Sequence, residues 1–188
     1  MIEIKGSAIT ARVRYVRETY GEGGVRAVRD ALRPEHRTVL EGRVLPHEWV
    51  PFALFTDLCV EVDRRFGKGD MAVCREMGRY AARVNLPTLY RIFYALGSPE
   101  FILRRAGKVW AVHYSSGRME TTFADKVGVK EVRLSIVDFA DPHIAHCQSV
   151  LGWAEESVVL SGGKEMKGSM LSCRAQGAST CELKIEYK

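Results

Sequence analysis

Three cysteines in the second half of the chain, Cys147, Cys173 and Cys181, are the residues best placed to do chemistry together. Cys173 and Cys181 stand eight positions apart with Gly177 between them, as on the two arms of a strand-to-strand turn. Cys147 falls in a stretch that reads as helix, and a helix packed on the same sheet could face the pair. Thiolates held this way suit zinc, which takes four soft or borderline ligands in a tetrahedron. His143 precedes Cys147 by four positions, so a helix would project both from one face. His146 would point about 100° away. The metal set expected from spacing is therefore His143, Cys147, Cys173 and Cys181. Small buried thiols beside a surface histidine would leave the same pattern, because no tight C-x-x-C pair is present. Four protein ligands would close the ion to water and substrate, so the expected zinc is structural and not catalytic.

The elements that must position these residues follow from periodicity. Ile9, Val13, Val16 and Tyr20 fall at helical spacing, and Gly21 with Gly23-Gly24 is expected to stop that helix. A short helix over Val25–Leu32 follows, and Pro34 opens a third. Pro46–Phe66 reads as a long apolar helix, Met71–Val84 as another, and Leu86–Leu96 as one entered through Pro87. Ser98-Pro99 reads as the N-cap and first position of a short helix. After Gly107 the pattern alternates. Lys108–Tyr114 and Arg118–Phe123 are expected to form a hairpin, with Val129–Phe139 as a third strand. Asp141-Pro142 opens a helix to about Leu160, and Lys164–Arg174 with Cys181–Tyr187 closes the chain as a second hairpin. The expected class is α+β: N-terminal helices, then β-β-β-α-β-β, with the helices on one side of an antiparallel sheet. One domain spans 1–188, with a mainly helical part over 1–105 and the sheet part over 106–188.

Composition narrows the function classes. The chain carries 28 basic and 23 acidic side chains, a formal charge of +5 spread along its length. The arginines of the first forty residues read as a solvated face, so nucleic acid is not indicated directly. The N-terminal segment lacks the apolar core of a signal peptide, and no stretch approaches a membrane span. A cytoplasmic location is expected, and five cysteines there suit thiols or metal ligands better than disulfides. No phosphate loop or nucleophile elbow appears, so the chain is not expected to be an enzyme.

The ending CRAQGASTCELKI resembles that of the 4-vinyl-reductase-like sensor domains, found among phenol-sensing bacterial transcription activators. In that branch a cysteine precedes the pair by 26 residues and is followed five residues on by glycine and an aromatic. Cys147, Gly152 and Trp153 occupy those places. The resemblance implies zinc ligands at Cys147, Cys173 and Cys181. The family's fourth ligand, a glutamate three residues before the second cysteine, is Met170 here, so either His143 substitutes from the helix or the metal has been lost. The superfamily also holds haem-based nitric oxide sensors and Golgi trafficking subunits. EIKGSAITARVRYVRETYGE resembles the haem branch's first helix, and Tyr114, Ser116 and Arg118 match its Tyr-x-Ser-x-Arg motif, which there holds haem propionates. That branch places its axial histidine about a dozen residues before a proline ahead of the motif. This chain has no histidine between His47 and His113, so haem is not expected.

The superfamily often holds a small apolar ligand between helices and sheet. Trp110, Tyr114, Tyr90, Phe93 and Phe55 are the candidate lining, and a fully packed core would use the same residues. The expected function is a zinc-stapled, non-catalytic sensor or scaffold, dimeric, acting in signalling or transcriptional regulation through a small apolar ligand or a partner protein. The alternatives are an accessory factor or reductase in tetrapyrrole metabolism and a haem-based gas sensor.

Overall fold

The computed structural model describes the backbone of residues 1–96 and 98–188 and the side chains of residues 1–85 and 98–188. A short strand, β1 (Glu3–Lys5), pairs antiparallel with β2 (Trp49–Pro51), setting Ile4 opposite Val50. Between them run α1 (Gly6–Ala31) and α2 (Pro34–Glu41). Gly21 takes a φ of 73°, so the expected stop is a kink, and the helix resumes beyond it. The apolar segment from Pro46 does not start as helix. Residues 46–48 form a turn, β2 follows, and α3 (Phe52–Phe66) begins only after Pro51. The backbone of α4 (Ala72–Leu96) runs as one helix where the sequence suggests two. Ser98 caps α5 (Pro99–Leu103) as expected, its Oγ accepting from the Phe101 N–H at 3.3 Å.

The segment expected as the first sheet strand is a helix, α6 (Ala106–His113). Seven residues carry both periods, and tertiary burial decides between them. Ala106 and Trp110, four apart, are buried, while Val112 is 55% exposed. The Trp110 indole then donates to the Ser116 carbonyl at 3.0 Å, closing the turn into the sheet.

That sheet contains β3 (Arg118–Lys126), β4 (Val129–Val137), β5 (Lys167–Ser172) and β6 (Cys181–Tyr187). Its order is β3-β4-β6-β5, antiparallel throughout. The class is α+β as expected, with α6 replacing a strand in the expected succession. Helix α7 (Ile144–Leu160) crosses between the two hairpins and buries Leu151, Ala154 and Val158 in the core shared with Leu134 of β4 and Leu183 of β6.

Two glycines let α4 and α7 meet backbone to backbone. A Cβ on Gly78 would overlap the Ser149 carbonyl, and one on Gly152 would overlap the Arg75 carbonyl. Beside this crossing the buried Glu155 carboxylate accepts from Arg75 Nε at 2.8 Å and from Arg79 Nη2 at 2.8 Å. Arg75 also donates to the Gly168 carbonyl, tying β5 to the helices. Among the described residues no helix is long and apolar enough to cross a membrane.

Candidate functional site

A cavity of about 90 Å³ lies between the helices and the sheet. Ala8 and Arg12 face it from α1, Trp110 and His113 from α6, and Ser149 and Trp153 from α7. Met119 of β3 and Leu134 of β4 form its floor. Its lining is mainly apolar with a few polar groups, the usual make-up of a small-molecule site. The helical form of Ala106–His113 is what brings His113 here. Its Nδ1 lies 2.9 Å from the Val109 carbonyl one turn back. Burial lowers the imidazole pKa, with the Arg12 and Lys5 charges adding to the effect, so the ring is neutral. With Nδ1–H donating to the carbonyl, Nε2 keeps its lone pair.

Of the five expected lining residues, Trp110 and Tyr114 line the cavity, their rings stacked at 4.0 Å. Phe55 sits behind the wall, its ring 4.8 Å from the Arg12 guanidinium carbon. Tyr90 and Phe93 lie outside the residues whose side chains are described. The Tyr114 hydroxyl is 3.0 Å from His146 Nε2. Burial raises the phenol pKa, and burial also takes His146 down to about 3, helped by the Arg12 and His143 charges. This is a neutral, satisfied pair. Ser116 and Arg118, the other members of the Tyr-x-Ser-x-Arg match, do not line the cavity. Arg118 is at the surface, bonded to Glu120 at 2.8 Å and to Asp138.

The three cysteines do converge. The sulfurs of Cys147, Cys173 and Cys181 lie within 4.8 Å of one another, all buried, and the Arg174 N–H donates to Cys181 Sγ at 3.3 Å. Burial raises the Cys147 thiol pKa, and its two sulfur neighbours raise it further. Such a trio could hold a thiophilic cation, releasing protons as it does so. His143 does not join it. The helix begins at Ile144, so His143 is the N-cap, extended at φ −139° and ψ 138°. Its Nδ1 accepts from the Ala145 N–H at 3.2 Å. The i,i+4 argument for a shared face needed His143 inside the helix, and it lies one residue outside.

Arg12, His113, Ser149 and Trp153 were missed as site residues. Arg12 carried a readable signal: it stands three residues after Ile9 and four before Val16, on the stripe that α1 buries. Only the fold assembles the other three.

No family model matches the chain, and no curated protein does. Solved structures do. An H-NOX protein from S. oneidensis in the Fe(II)NO state aligns over 98% of this chain and 99% of its own, with a TM-score of 0.74 and 12% identity. A structure described as modulating haem redox potential through porphyrin distortion aligns over 98% and 99%, with a TM-score of 0.66 and 16% identity. An oxygen-binding H-NOX domain related to soluble guanylate cyclases aligns over 98% and 94%, with a TM-score of 0.67 and 15% identity. At these identities the likeness establishes the fold alone, which this chain shares with the solved H-NOX domains. It does not display the 4-vinyl-reductase-like branch. It also overturns the reading of a zinc-stapled sensor from which haem is excluded, because the solved domains that share this fold are haem proteins.

Haem needs an axial donor, polar partners for its propionates, and room. The donor set fits, since His113 brings a neutral imidazole to the cavity with its second nitrogen anchored, the arrangement common to metal-bound histidines. The cavity is smaller than the ~300–1,000 Å³ of typical ligand pockets, so a porphyrin requires its walls to part.

Proposed function

We propose that the chain is a haem-based sensor domain that holds its cofactor in the cavity between α1, α6 and α7. The observation that carries this is His113, a neutral cavity-lining imidazole whose Nδ1 is engaged by the Val109 carbonyl. The likeness of the whole chain to H-NOX domains supports the same reading. His113 would hold the iron through Nε2, and Trp110 and Tyr114 would pack against the ring. The iron would supply an open position for a small gaseous ligand. The chain's own part would be to fix the imidazole tautomer and to exclude water with Trp110, Met119 and Leu134. Titrating hemin into the purified protein tests the reading. A stoichiometric Soret band in the wild type, lost in His113→Ala, is expected. No band, or a band unchanged in His113→Ala, refutes it.

A second reading is favoured by the cavity's size of about 90 Å³: a small organic ligand bound without haem. An engineered cavity of about 150 Å³ binds benzene, so only modest widening is needed.

A further inference from the structure

Arg12 is a buried cation without an anion. It is 6% exposed, and among the described residues it makes no ion pair. Its Nη1 donates to the Ala8 carbonyl at 3.3 Å and its Nη2 to the Ser149 hydroxyl. Its Nε has no hydrogen-bond partner among the described residues. The Phe55 face beneath it adds only a cation–π contact. A buried charge held this way is costly, and chains retain one where something else balances it. Arg12 lines the cavity, where Asn85, Ser149 and Tyr114 add hydrogen-bonding groups to apolar walls.

We propose that the cavity takes a ligand bearing a carboxylate on an apolar body, and that Arg12 is the counter-charge that selects it. This rests on the reading of the cavity as a ligand site. A haem propionate and a free small carboxylic acid share this chemistry. Without such a ligand the nearby Cys59 thiol partly answers the charge. Burial alone would raise its pKa, but the Cys74 hydrogen bond and the Arg12 charge outweigh that and bring it down. Cys59 sits behind the cavity wall, buried in the core, and a carboxylate entering the cavity would meet Arg12 from the open side.

Two matched pairs of probes test this, read by calorimetry and thermal shift. Benzoate is compared with benzyl alcohol, and haem with its dimethyl ester. The expected result is that one charged member binds roughly tenfold or more tightly than its neutral partner, and that Arg12→Gln erases the preference. Which pair responds identifies the source of the carboxylate. Arg12→Lys is expected to keep part of the preference, and Arg12→Met to raise the melting temperature of the ligand-free protein by removing an unpaired buried charge. Equal binding within both pairs overturns the inference, as does a preference that survives Arg12→Gln, and leaves the cavity reading intact. Binding of none of the four probes overturns both. If Arg12→Gln does not fold, the wild-type ratios decide.

Discussion

Replacing Gly152 by alanine sets two effects of opposite sign against each other. In the interior of a helix alanine is favoured over glycine by about 1 kcal/mol. Against this, the new Cβ would overlap the Arg75 carbonyl oxygen and lie 2.8 Å from its carbonyl carbon, where real Cβ contacts essentially never fall below 3.0 Å. The obstacle is the backbone of α4, which cannot rotate aside as a side chain would. The two helices must separate, loosening Leu151, Ala154 and the Glu155 ion pairs. Overpacking costs ~1–3 kcal/mol, and a backbone obstacle belongs at the upper end. The expected net loss is about 2 kcal/mol, or roughly 4–8 °C in Tm for a chain of this size. Urea and thermal unfolding of Gly152→Ala measure it. Gly23→Ala is the control: its Cβ meets nothing within 4 Å on α1, so it should gain up to about 1 kcal/mol. A Gly152→Ala protein as stable as the wild type, beside a stabilised Gly23→Ala, would refute the backbone-contact argument. The same separation should weaken ligand binding, because Ser149, Val150 and Trp153 of α7 line the cavity.

Glu155→Gln should cost about 2–3 kcal/mol by urea unfolding, somewhat below the range for breaking a fully buried pair because Arg75 and Arg79 keep some exposure. Burial alone would raise the Glu155 pKa, but Arg75 and then Arg79 outweigh it and hold it below the ordinary 4.5. Its contribution is therefore full above the unfolded value and lost as the pH falls below 4.5. The gap between wild type and Glu155→Gln should narrow on acidification through that range, and a constant gap would show that the charge is not what stabilises. Gly21→Ala should destabilise by roughly 1 kcal/mol, since a φ of 73° suits glycine and nothing nearby compensates a Cβ there. A neutral or stabilising outcome in the same unfolding assay would mean that the kink relaxes into continuous helix.

What local pattern encodes was legible in the chain. The mixed class, the positions of β4, β6 and α7, and the Ser98 cap follow from period, turn residues and capping chemistry within a few positions of each element. The convergence of Cys147, Cys173 and Cys181 was also readable, because a hairpin and a helix leave few ways to place them. The tertiary structure decided the rest. Lys108–Tyr114 satisfied both periods, and it is helical because Trp110 packs against Tyr114 and Phe139 in that form. His143 lost its expected place through a one-residue difference in where α7 begins. His113 looks like an ordinary strand residue in the sequence, and Arg12, though it stands on the stripe that α1 buries, gives no sign there of its partners. Whether a charge is solvated or buried unpaired depends on neighbours more than a hundred positions away, such as Ser149 beside Arg12, and which ring nitrogen of His113 is free depends on the helical turn that brings the Val109 carbonyl to it. Sequence-local rules carry no information about such partners, and in this fold those partners define the site.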